Sequence, residues 1–328
     1  MPTRPLDLLD LPTVYRYRSA VLSLDSARAL TRGNPLSLAS LLVRLDPAQR
    51  FYTAIHVADK NEHPPLLGGI TQAEEETCAR LSFLALSETF AEEALLALLD
   101  HLTTQAGSWG VYHLLAEVDE QSMLFPMLRK AGFVVYAWQR IWALDGIAPA
   151  KSPRYHWRKA RPEDLPAIQA LYRHIVPGLL QTVDPCPQQA EGMVWSDGED
   201  ILVYVGVRRG PRGVLLYPMI HPDAGHIAEG LCDLLHVLSH RHGDGVHLCM
   251  RSYQAWLEPI LHDLGALAGP RQAIMVRHLV APLREEAAEK AGPEQAWARP
   301  ATPIIRSQSV PPPIKIEIPE NGSIAYYR

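Results

Sequence analysis

The stretch Leu81-Ser82-Phe83-Leu84-Ala85-Leu86, together with the pattern that runs on from it to Lys130-Ala131-Gly132-Phe133, decides the fold of this chain. The apolar run is short and uninterrupted, as in a buried strand. Residues 90–105 then place Leu95, Leu98, Leu99 and Leu102 at helical spacing on one face. Val111-Tyr112-His113-Leu114-Leu115-Ala116-Glu117-Val118 reads as a second strand. A short helix from about Ser122 closes at Gly132, which suits a left-handed C-cap because it carries no Cβ. The unit is strand, helix, strand, helix.

A similar series returns further along. The segment Asp145-Gly146-Ile147-Ala148-Pro149-Ala150-Lys151-Ser152-Pro153 breaks all periodicity and reads as a linker. After it, Trp157-Arg158-Lys159-Ala160 predicts a short strand. Arg161-Pro162-Glu163-Asp164-Leu165 then opens a helix with Pro at its first position and acids in its first turn. Residues 200–207 and 213–220 predict two strands around an Arg208-Arg209-Gly210-Pro211 turn. A helix over residues 227–241 buries Leu231, Leu234, Leu235 and Leu238. It is followed by a strand at 245–250 and a helix over 254–264 that stops near Gly265. Gly110-Val111 and Gly245-Val246 hold matching places, each a helix end running into a strand. Element order therefore predicts an internal repeat.

These phrases resemble the GNAT superfamily of N-acetyltransferases. The Ala131-Gly132-Phe133 ending and the Arg161-Pro162-Glu163-Asp164-Leu165 opening carry the likeness most clearly. It spans about residues 1–283, strongest over 81–144. It is weakest over 6–54, where Leu22, Leu30, Leu36, Leu38 and Leu41 suggest helices. The implied architecture is α/β: two tandem GNAT-like domains, residues 1–146 and 154–283, each a mixed central sheet flanked by helices. A Pro-rich tail, 284–328, follows. In the tail, Pro311-Pro312-Pro313 reads as a semi-rigid spacer. Ile314, Ile316 and Ile318 then alternate with charged residues before an Asn321-Gly322 turn pair, so a terminal strand or hairpin competes with a mobile tail.

The resemblance also implies a site. The pantetheine arm of acetyl-CoA, or of another acyl-CoA, would lie between the splayed strands of a copy. The pyrophosphate would sit on an Arg/Gln-x-x-Gly-x-Gly/Ala loop at the next helix, where free N–H groups and the dipole attract anions. In the first copy that loop falls on Ser87-Glu88-Thr89-Phe90-Ala91-Glu92-Glu93, which has no Gly or Arg and three carboxylates. In the second, residues 221–230 keep Gly225, Ala228 and Gly230 but carry Asp223 and no Arg. Ile220, Gly225, His226, Ile227 and Ala228 are therefore the candidate cofactor residues. The Tyr that family enzymes often place four residues before the closing Gly is Leu128 in one copy and Leu261 in the other.

Transfer to an amine, whether on a small molecule or a protein, needs a base for the attacking ammonium. Glu117, His221 and His247 are the eligible side chains. Each reads equally as a solvated or hydrogen-bonded strand residue, since alternate residues face opposite ways. The leading expectation is N-acyl transfer; the alternative is a non-catalytic GNAT-like protein for ligand sensing or partner binding.

Composition bounds the rest. At 328 residues, 47% apolar and 20% charged, the chain has the make-up of a globular protein with room for two cores. A net charge of -5 argues against nucleic acid as a partner, which would need a basic surplus. Cys78, Cys186, Cys232 and Cys249 are too scattered for a disulfide framework or a zinc knuckle. No run approaches the ~18–20 apolar residues of a membrane span, so no membrane partner and a cytoplasmic location are expected. His236 and His240 share a metal-like spacing, but no partner Glu follows; no metal is expected. An oligomer remains open.

Overall fold

A computed structural model of the chain describes residues 3–37, 49–57, 64–73, 77–87, 89–184, 186–187, 191–197, 200–238 and 245–279. The tail and its isoleucine strand lie outside these residues, as do Leu38, Leu41, Glu88, His240 and His242.

The first half supplies β1 (Thr3–Pro5), β2 (Val21–Ser23), β3 (Gln49–His56), β4 (Leu66–Ala73), β5 (Cys78–Ala85), β6 (His113–Asp119) and β7 (Val134–Ala143). Its helices are α1 (Leu11–Tyr17), α2 (Ser26–Arg32), α3 (Glu92–Ser108) and α4 (Leu124–Lys130). The second half supplies β8 (Arg158–Lys159), β9 (Gly192–Asp197), β10 (Asp200–Gly210), β11 (Gly213–Ile220), β12 (Gly245–Arg251) and β13 (Leu267–His278). Its helices are α5 (Leu165–Ile175), α6 (Ile227–Leu238) and α7 (Glu258–Asp263). The two signature stretches form as the periodicity predicts, and Gly132 and Gly265 both close a helix at positive φ, 85° and 89°. Leu22 departs from expectation. It lies in β2, and only Leu30 of the early leucines falls in a described helix.

Among the described residues the strands form one mixed sheet of 13, ordered β1-β3-β4-β5-β6-β13-β7-β12-β11-β10-β9-β8, with β2 added beside β5. The halves are therefore joined rather than laid side by side as two separate sheets. β13, the last strand of the second half, lies antiparallel between β6 and β7 of the first, with Ala273 opposite both Val118 and Trp138. On its other edge β7 pairs with β12, Ile141 opposite Cys249. Two register shifts in the β13–β7 ladder mark the irregular geometry at this crossing.

Packing follows the exchange. In the first core, Leu95, Leu98, Leu99 and Leu102 of α3 meet Leu81 and Leu84 of β5 and also Ala273 and Met275 of β13. In the second, Leu231, Leu234, Leu235 and Leu238 of α6 meet Leu216 and Leu248 and also Trp142 of β7. A third cluster lays Ile168, Leu171 and Tyr172 of α5 on Leu115, Ala137, Ile274 and Val276. Each large apolar side chain buried here contributes roughly 1.5–3 kcal/mol. The expected linker is also packed: Asp145 Oδ1 accepts from Val246 N–H at 3.1 Å, and Ala150 N–H donates to Cys232 O at 3.2 Å. No described helix is long and apolar enough to cross a membrane.

Candidate functional site: two wedges and the cavity between the halves

Each half contains one parallel strand pair that opens into a wedge. β5 and β6 pair from Cys78 opposite His113 to Arg80 opposite Leu115, then diverge. β11 and β12 pair from Gly213 opposite Gly245 to Leu216 opposite Leu248, then diverge. Divergence leaves backbone N–H and C=O groups on the inner edges, and each must find a partner.

In the first wedge the partner is the chain itself. β2 pairs antiparallel with β5, Ser23 opposite Phe83 and Val21 opposite Ala85, on the edge that β4 leaves free. Leu24 then bridges the gap, its N–H donating to Ser82 O at 3.0 Å and its C=O accepting from Glu117 N–H at 2.8 Å. Ser26 N–H reaches the Glu117 carboxylate at 2.9 Å. The wedge is closed by covalent backbone. At the following helix, Glu92 is tied to Lys130 at 2.6 Å.

The second wedge is different. Pro218 has no N–H to offer, and its C=O accepts from Gln254 Nε2 at 2.7 Å. Ile220 N–H donates to Gln254 Oε1 at 2.9 Å. Gln254 is 1% exposed, so one side-chain amide holds the inner edge of β11. Beyond it lies a cavity of about 240 Å³, lined by Tyr172, Tyr204, Tyr217 and Tyr253, by Val176 and Met219, and by Arg80, Arg208, Arg251 and Asp184. Tyr172 and Tyr204 donate to the carbonyls of Asp184 and Glu191, both at 2.5 Å. The Tyr217 and Tyr253 hydroxyls have no hydrogen-bond partner among the described residues. Burial raises both phenols well above the ordinary tyrosine value, so they stay protonated.

The sequence candidates are not gathered in one place. Glu117 is 6% exposed and lies in a buried network with Arg80 at 3.8 Å. Burial raises its carboxyl, but the charges of Arg251 and Arg80 and the Ser26 hydrogen bonds outweigh it, holding the group below the usual carboxylate range. A carboxylate kept ionised by two arginines is an anchor and a poor proton acceptor. His247 sits in the paired part of β12, opposite Leu215 and Ala143, with Nδ1 buried and without a partner among the described residues. His221 lies past the far end of β11, its Nδ1 accepting from Asp223 N–H at 3.2 Å and its ring 4.9 Å from that of His174. Gly225 is exposed with nothing within 4 Å of where a Cβ would stand. His226, at φ 55°, stacks on Tyr155 at 5.9 Å beside the start of α6, where Ile227 is buried.

Sequence reading missed Arg251 and Arg80. Arg251 is buried, donating to Gln139 Oε1 and lying 3.4 Å from Asp184. Its signal was present in Cys249-Met250-Arg251, a charge ending an apolar strand. Among the described residues no group of three metal-ligating side chains forms.

No protein-family model matches the sequence, and no curated protein matches it significantly. Solved structures do. A GCN5-related N-acetyltransferase from Sphaerobacter thermophilus superposes with TM-score 0.53 at 12% identity, covering 84% of this chain and 95% of its own. A tandem GNAT protein from the clavulanic acid biosynthesis pathway aligns with TM-score 0.49 at 15% identity, covering 84% and 98%. The first of these likenesses, with the paired wedges, establishes that the chain has the GNAT fold.

Replacing Gln254 by Ala leaves Ile220 N–H and Pro218 C=O without partners. Unfolding in urea is expected to reveal a loss of about 1–3 kcal/mol. A variant as stable as the parent would show that water takes over both groups.

Proposed function

We propose that the protein is a GNAT-type N-acyltransferase that uses an acyl-CoA through its second half, with the first half as scaffold. The observation that carries this is the asymmetry of the wedges: backbone closes the first, whereas a single side chain holds the second beside a cavity of about 240 Å³. Ile220, Gly225, His226, Ile227 and Ala228 would hold the cofactor, with the open Gly225 and the N–H groups of α6 facing its phosphates. Acyl-CoA supplies the activated acyl group. Tyr217 and Tyr253, whose hydroxyls are without partners among the described residues, would be the hydrogen-bond donors to a departing thiolate. The acceptor is an amine of small-molecule or protein origin that enters the tyrosine- and arginine-lined cavity.

Calorimetric titration of acetyl-CoA tests the reading. Saturable binding is expected, and Gly225→Asp should weaken it more than tenfold, because a carboxylate would intrude on the anion site. Equal affinity in that variant would place the cofactor elsewhere.

A second reading, a ligand-binding protein without catalysis, draws on Gln254 and Glu117: the groups that would serve the reaction are already engaged. An absence of acetyl-CoA binding in both the parent chain and Gln254→Ala would sink the transferase and leave this one.

A further inference from the structure

Away from the Gly225 loop, α2 of the first half packs on the hairpin joining β10 and β11. Arg212 N–H donates to Thr31 O at 3.0 Å, and a Cβ on Gly210 would stand 2.2 Å from that carbonyl oxygen. Beside this contact lies a cavity of about 180 Å³ built from both halves. Five guanidinium groups line it: Arg28 and Arg32 from α2, Arg80 from β5, and Arg208 and Arg209 from β10. Asp25 is the single carboxylate among the described lining residues, and it is occupied as the N-cap of α2, accepting from Arg28 N–H at 3.1 Å. Arg28 is held by Gln49 at 2.7 Å and by the face of Phe51 at 4.4 Å, and Arg80 faces Glu117. Arg32, Arg208 and Arg209 have no ion pair or hydrogen bond among the described residues.

Like charges converging on one small concavity repel, and the fold brings them together from three separate elements. An anion that accepts from several of them removes the repulsion, and the planar fork of arginine suits phosphate oxygens above all. We propose that this cavity binds a small phosphate-bearing polyanion. It is distinct from the acyl-CoA loop. Arg209 pairs with Val214, whereas Ile220 pairs with Val203, six residues along β10, or roughly 20 Å at the rise of a strand. The site therefore stands whether or not acyl transfer does.

The test is titration of the full chain with inorganic pyrophosphate at constant ionic strength, followed by calorimetry and by thermal unfolding. One saturable site and a raised midpoint are expected. Arg32→Gln and Arg209→Gln, which lie outside the second wedge and its cavity, should each weaken binding several-fold and together more than tenfold. Their melting points without ligand should be no lower than the parent's, since each removes a repelling charge. Affinity for acetyl-CoA should not change in the double variant, which separates this site from the proposed cofactor loop. Absence of saturable binding in the parent, or unchanged pyrophosphate affinity in the double variant, would overturn the proposal. Citrate binding as tightly as pyrophosphate would overturn its phosphate class.

Discussion

A chain ending at Ala266 is expected not to fold, in either half. It lacks β13, which is flanked on both sides by strands of the first half and buries Ala273, Ile274, Met275 and Val276. The three larger of these side chains each contribute roughly 1.5–3 kcal/mol, against a total stability of about 5–15 kcal/mol for an ordinary domain. Removal also strips one edge each from β6 and β7, leaving two unpaired strand edges of the kind that aggregate. The same logic applies to residues 1–146 alone, which lack the strand that completes their own core. Circular dichroism and size-exclusion chromatography of both fragments check this. A monomeric, cooperatively melting 1–146 fragment would show that the first half closes its sheet without help.

The second large effect concerns Glu117. Replacing it by Ala removes the acceptor of Ser26 N–H and one of the anions that balance Arg80 and Arg251 in a buried site. Breaking a buried charge network from one side costs about 3–5 kcal/mol, much of it the desolvated charge left behind. Urea unfolding at neutral pH is the measurement, and a loss below 1 kcal/mol would mean that water reaches the arginines. The pH dependence has a definite sign. Because the folded-state carboxyl lies below its ordinary value, its contribution is complete above the unfolded-state value of about 4.3. It disappears as the pH falls through the folded-state value. Glu117→Gln should therefore flatten part of the acid limb of the stability curve. An acid limb identical in parent and variant would assign that limb to other carboxylates.

Much of the fold was legible from short-range pattern. The leucine stripe of α3 and the apolar runs of β5 and β6 report a period, and a period needs no knowledge of distant residues. Gly132 and Gly265 were legible for a similar reason, since a left-handed position after a helix selects glycine on local sterics. β2 was not. Val21-Leu22-Ser23 is too short to carry an alternation, and what makes it a strand is the free edge of β5 beside it. β13 escaped for a different reason. Gly269-Pro270 interrupts its start, and its register is set by two partners about 135 and 155 residues earlier.

The candidate site divides in the same way. Gly225 and its neighbours were candidates from spacing along one loop, a local pattern, and nothing lies within 4 Å of where a Cβ on Gly225 would stand. The environment of Glu117 was not legible, because its arginine partners come from β5 and β12 and no local pattern joins them. By itself, the sequence determined the two strand–helix series, their caps and the contrast between an acidic and a glycine-bearing loop, all consequences of neighbours within a few turns. Only the tertiary structure decided that the halves share one sheet, that residues 21–26 fill the first wedge, and that arginines from α2, β5 and β10 converge. Those outcomes depend on which edge, charge or hydrogen-bonding group is left unsatisfied once distant segments meet, and that is a property of the folded arrangement.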